Sequence, residues 1–111
     1  MKATPLKGMR DYLPREAMIR DFLQSTILAT YQDAGFSRIT TPIIEDAVNL
    51  DKSEGGENLN LIFRILKRGQ KLEKALESEK ADEKSLSDMG LRYDLTLPLS
   101  RYFANNRNEL L

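Results

Sequence analysis

Apolar residues recur at steps of three and four between Pro14 and Ala34: Ile19, Phe22, Leu23, Ile27, Leu28, Tyr31 and Ala34. That spacing lays one apolar stripe along a helix of 3.6-residue period. Pro14 suits a first helical position, where its missing N–H leaves nothing unpaired. Glu16 and Asp21 stand toward the positive end of the helix dipole, and Gly35 supplies a left-handed C-cap. The pattern predicts a helix over 14–34 with one stripe suited to burial. Phe36 to Thr41 follows, and β-branched Ile39, Thr40 and Thr41 predict a strand. Pro42 has no N–H to give to a ladder, so it ends the strand or sits on its edge. Ile43 and Ile44 carry the apolar segment on to Glu45.

Further along, Ala47 to Asn58 contains Gly55-Gly56 and several charges and predicts a loop. Leu59, Leu61, Phe63 and Ile65 alternate as in a strand, although Ile62, Ile65, Leu66, Leu72 and Leu76 also fit a helix. Gly69 favours a strand ending near Leu66, a turn near 67–70 and a short helix after it. From Lys67 to Lys84 there are six basic and five acidic residues. This predicts a solvated helical insertion over about 67–85, with an RNA-contacting insertion as the second reading. Gly90 to Thr96 predicts a strand, and Pro98 opens a second amphipathic helix with Leu99, Tyr102 and Phe103 on its apolar side. No internal repeat is visible. The apolar pair at 110–111 reads as an interruption within a longer chain.

Composition narrows the chemistry. The chain of 111 residues is long enough for one domain, and 41% hydrophobic with 31% charged residues fits a globular protein. Lys plus Arg and Asp plus Glu number 17 each, so no basic footprint for nucleic acid stands out. The absence of cysteine and histidine excludes disulfides, thiolate metal sites and the commonest general base. No apolar run approaches the ~20 residues of a membrane span, and no signal-peptide core opens the chain. The expectation is a cytoplasmic protein whose chemistry rests on carboxylates, Arg, Lys, Thr and Tyr. No carboxylate pair has the spacing of shared metal ligands, which argues against a nuclease or hydrolase.

Three segments, in order, resemble histidyl-tRNA synthetases. Lys7-Gly8-Met9-Arg10-Asp11-Tyr12-Leu13-Pro14 is similar to the family's N-terminal signature before its first helix. Gly35-Phe36-Ser37-Arg38-Ile39-Thr40-Thr41-Pro42-Ile43-Ile44-Glu45 is similar to motif 1 of the class II synthetases, where helix, strand and proline build a dimer interface. Leu91-Arg92-Tyr93-Asp94-Leu95-Thr96-Leu97-Pro98-Leu99-Ser100-Arg101-Tyr102 is similar to the segment that precedes motif 2. Each is modest alone, and their order makes them strong together.

The resemblance implies an α+β fold: the N-terminal portion of a class II synthetase-like catalytic domain, incomplete, with a mainly antiparallel sheet and flanking helices. On that reading residues 14–45 are the motif 1 helix and strand, and about 90–97 is an amino-acid-binding strand. It further implies that Asp94 and Thr96 hold the α-amino group of histidine. Residues two apart on a strand share a face, and a carboxylate with a hydroxyl oxygen can accept two of an ammonium's three donors. The competing reading of Asp94 is a cap for the following helix, or a partner of Arg92. Asp94 stands where many members carry Glu in an Arg-Pro-Glu-Gly-Thr string, so its carboxylate is set back by about one methylene. Arg92 and Arg101 are candidates for charge pairing inside the fold or near the site, with structural pairing the first reading for both, and Phe36, Ile39 and Pro42 are read as dimer interface.

The whole protein implied is an ATP- and Mg2+-dependent histidine–tRNA ligase, homodimeric, acting on histidine, ATP and tRNA(His). The arginines of motifs 2 and 3 lie outside this sequence, and no Walker-type loop replaces them. This portion alone is therefore expected to be inactive, with no catalytic residue, metal or cofactor of its own. Alternatives are a synthetase-like regulatory subunit of ATP phosphoribosyltransferase and a non-enzymatic dimerisation module. Because an incomplete sheet leaves an unpaired edge, exposed apolar surface and self-association are also expected.

Overall fold

The computed structural model describes residues 1–53 and 61–110, which form two compact units, 1–39 and 40–111. In the first unit, α1 spans Pro14–Asp33, within one residue of the predicted helix. Its entry is tied down by side chains. The Leu13 N–H donates to Glu16 Oε2 at 3.2 Å, the reaching-back half of a capping box. Arg10 pairs with Glu16. The guanidinium groups of Arg10 and Arg20 lie 4.7 and 4.2 Å from the Tyr12 ring centroid, and Arg20 also donates to the Tyr12 hydroxyl.

The exit of α1 is a Schellman motif. Gly35 has φ 90°, its N–H reaches Gln32 O at 3.0 Å, and the Phe36 N–H reaches Tyr31 O at 3.0 Å. Phe36 then stacks edge-on against Tyr31, with centroids 5.5 Å apart, which supplies the motif's apolar contact. The predicted stripe, by contrast, is open. Ile19, Phe22, Leu23, Ile27 and Tyr31 are all exposed, and α1 has no buried residue.

In the second unit a three-stranded antiparallel sheet has the order β1-β3-β2, with β1 Ile44–Asp46, β2 Arg64–Leu66 and β3 Ser87–Leu91. The register sets Glu45 opposite Gly90 and Ile65 opposite Met89. Helix α2 (Ala47–Ser53) packs on β1 and β3 and meets α5 (Thr96–Asn106). Between β2 and β3 lie α3 (Gln70–Leu76) and α4 (Glu83–Leu86). Ala47, Leu50, Ile62 and Pro98 form the buried apolar core. Gly90 is part of it by necessity: a Cβ there would meet Leu50 Cδ1 at 2.8 Å, Ile62 Cγ2 at 3.1 Å and Phe63 O at 3.2 Å.

Four sequence expectations are corrected. Residues 36–41 form no strand, because no described strand lies beside them to complete a ladder. The loop expected from Ala47 to Asn58 begins as α2, since Asp46 Oδ1 accepts the Val48 and Asn49 N–H groups at 2.8 and 3.3 Å and so caps a helix. The remainder of that loop, and the start of the expected strand at Asn60, lie outside the described residues. The strand expected over 90–96 is instead Ser87–Leu91, and the chain turns at 92–95 before α5 starts at Thr96. Finally, α5 turns Pro98 inward with Leu97, Arg101 and Tyr102 half-buried, while Leu99 and Phe103 are exposed.

The turn at Gly69 holds (φ 59°), and so do the strand ending at Leu66 and the short helix that follows. The charged insertion is helical and mostly exposed, as its composition predicts.

Candidate functional site

The residues expected to bind substrate, Asp94 and Thr96, fall on the connection from β3 to α5, residues 92–96. β3 is the central strand, paired on both sides, so its end is the best-anchored exit from the sheet. Beyond Leu91 the Arg92 N–H still bonds to Ile43 O at 2.9 Å, extending the β1 side by one link. The chain then turns. Asp94 Oδ1 accepts the Thr96 N–H at 3.0 Å, satisfying one of the unpaired donors at the start of α5. Pro98, in the first turn of α5, brings no N–H to satisfy.

Asp94 and Thr96 are both exposed. They come together through this turn rather than as alternate residues of one strand face. The capping bond is therefore present, and it leaves the carboxylate with further acceptor capacity, since each oxygen has two lone pairs.

Arg92 does not use Asp94. Its Nη1 donates to Thr41 O and Thr41 Oγ1, both at 3.0 Å, and to Pro42 O at 3.3 Å. Arg101 pairs with Glu45, as structural pairing predicted for it: its Nε lies 2.9 Å from Oε1 and 2.7 Å from Oε2. Only 3% of the Glu45 side chain is exposed, against 32% for Arg101. Glu45 is the residue that sequence reasoning missed. It stands in an apolar run, and β1 reverses the ordinary order by exposing Ile44 and burying Glu45. The one signal for it was a carboxylate directly after Ile43 and Ile44 with an arginine available elsewhere, and no local period reveals that pairing.

The expected interface residues belong to different units. Phe36 and Ile39 are exposed in the first unit and Pro42 is exposed in the second. In the first unit a cavity of about 690 Å³ opens at the end of α1, lined by residues that include Leu28, Tyr31, Phe36 and Arg38. Among the described residues no group of three or more His, Cys, Asp or Glu side chains converges as metal ligands would. No described helix is long and apolar enough to cross a membrane.

Comparison with known proteins agrees with the three segments. The family model described as histidyl-tRNA synthetase matches residues 8–110. The histidine–tRNA ligase of Leifsonia xyli subsp. xyli is 46% identical over 110 residues, covering 96% of this chain and 25% of that protein. The probable histidine–tRNA ligase of Tropheryma whipplei (strain Twist) is 41% identical, covering 99% of this chain and 25% of the relative. The histidine–tRNA ligase of Christiangramia forsetii is 38% identical, covering 94% of this chain and 24% of the relative. The chain thus spans about a quarter of the length of the curated relatives it matches. With a family model across nearly its whole length, the chain belongs to the histidyl-tRNA synthetase family.

Proposed function

We propose that this chain forms part of a class II histidine–tRNA ligase, in which the turn at Asp94 and Thr96 holds the α-amino group of histidine. The observation that carries the reading is the exposed Asp94 carboxylate at the end of the central strand. Its orientation is fixed by the Thr96 N–H at 3.0 Å, beside the equally exposed Thr96. A carboxylate held this way offers an ammonium a charged acceptor with little left to reorganise. The threonine hydroxyl adds a second acceptor at the same turn.

The mechanism is one of positioning. Holding the amino group fixes where the histidine carboxylate points, so that its oxygen can attack the α-phosphorus of ATP while pyrophosphate leaves. The histidyl group of the resulting adenylate then passes to a hydroxyl of the terminal ribose of tRNA(His), with AMP as the leaving group. Nucleotidyl transfer of this kind depends mainly on placement and charge neutralisation. This chain's own share is to bind and orient the amino acid, and alone it would not activate histidine.

In the whole protein Phe36, Ile39 and Pro42 would contact a second copy; their exposure supports that assignment. A protein that charges tRNA would work in the cytoplasm. The test is aminoacylation of tRNA(His) by the whole protein. Activity lost on Asp94→Ala, with the fold retained, supports the reading, and full activity in that variant ends it.

A further inference from the structure

Two arginines flank the turn that carries Asp94, one before it and one after, and both reach the same short stretch of chain. Arg92, two residues before Asp94, grips Thr41 and Pro42 with its side chain and Ile43 with its N–H. Arg101, five residues after Thr96, grips Glu45 through both carboxylate oxygens. Within the turn Asp94, Leu95 and Thr96 are exposed; Asp94 Oδ1 accepts the Thr96 N–H, and the Leu95 and Thr96 carbonyls accept from the Leu99 N–H and the Ser100 hydroxyl of α5.

We infer that Arg92 and Arg101 are positioning residues, which set the Asp94–Thr96 turn for the amino acid by anchoring both of its ends to Thr41–Glu45. The inference rests on the assignment of that turn to the α-amino group of histidine. The physics favours arginine at both places. Arg92 reaches its three acceptors through Nη1 alone, and Arg101 reaches both Glu45 oxygens through Nε alone; the planar guanidinium fixes where each nitrogen stands, whereas a lysine ammonium is a point charge on a flexible stem. Glu45 is the fixed end of the second anchor, because a carboxylate with 3% exposure has no water to turn to. Loosening either anchor shifts a binding group without removing it, and a displacement of about 1 Å costs up to ~100-fold.

The experiment is histidine-dependent ATP–pyrophosphate exchange by the whole synthetase, with active sites counted by titration. Arg92→Lys is the main variant, because its partners are uncharged oxygens and the exchange leaves no buried charge unpaired. Arg101→Lys is the second. Each is expected to raise the KM for histidine about tenfold while the KM for ATP moves by less than about twofold. If Arg92→Lys lowers the count of active sites and leaves the histidine KM unchanged, the arginines only hold the fold and the inference is overturned. Asp94→Asn separates the two claims. Should it leave the histidine KM unchanged, the assignment of the turn fails. Should it raise that KM while Arg92→Lys does not, the anchoring alone fails.

Discussion

Glu45 and Arg101 form a pair in which the two partners are unequally exposed, and that asymmetry makes a prediction. Removing Arg101 strands a buried carboxylate, so Arg101→Ala should destabilise the protein by about 3 kcal/mol or more. Glu45→Gln keeps the shape and one acceptor and should cost less. Urea denaturation of the two variants checks the order, and equal losses would count against it. A second residue, Asp82, caps α4: its carboxylate accepts the Ser85 N–H at 2.8 Å, and the Ser85 hydroxyl bonds back to the Asp82 main chain. The Ser85 N–H, then the Ser85 side chain, hold the Asp82 carboxyl below its ordinary value. Its pKa is thus lower folded than unfolded. The contribution is complete above the unfolded value, about pH 4, and is lost as pH falls through the folded one. Ser85 amide exchange should rise over that acid range, and Asp82→Asn should abolish the pH dependence. Neither residue's role was open to inspection in the chain. Asp82 sits inside a dense charge run, and Glu45 meets its partner 56 positions away.

At the scale of elements, the ends of α1 carry their own instructions. Pro14 and Glu16 begin it, and Gly35 ends it with φ 90°, a conformation that an L side chain resists. Gly35→Ala should therefore cost about 1–2 kcal/mol and release the Phe36 N–H from Tyr31 O. A thermal melt read by circular dichroism measures it, and an unchanged melting point would refute the cap. These signals are local, which is why the sequence yields the helix to within a residue. Residues 36–41 show the opposite case. Their β-branched side chains satisfy strand propensity, but a strand exists only beside another strand, and propensity says nothing of neighbours. β3 was misplaced for a related reason. Ser87 and Asp88, residue types common in turns, form its first part, and Gly90, where the predicted strand begins, lies well inside it with Leu50 and Ile62 closing over it. The Asp94–Thr96 bond, which ends the strand early, joins residues that the pattern had assigned to the strand itself.

For the molecule as a whole, the core of the second unit is small and tightly fitted around Gly90. Gly90→Ala should overpack it and cost about 1–3 kcal/mol; a stability curve unchanged by that substitution would show that Leu50 can move aside. Elsewhere much apolar surface is open: Phe22, Leu23, Ile27 and Phe36 on the first unit, Leu99 and Phe103 on the second. Patches of that kind mark surfaces meant to be covered. The chain should accordingly self-associate, with a sedimentation coefficient that rises with concentration; a monomer at all concentrations would contradict this. Motif order made the family legible, while the contacts of Arg92 and Arg101 needed the fold, since they join residues about fifty positions apart. Calorimetric titration of the whole protein with histidine reaches the assignment of the turn most directly. Binding to the wild type, weakened at least about tenfold by Asp94→Ala in a folded protein, is the predicted result, and undiminished binding by that variant would contradict it.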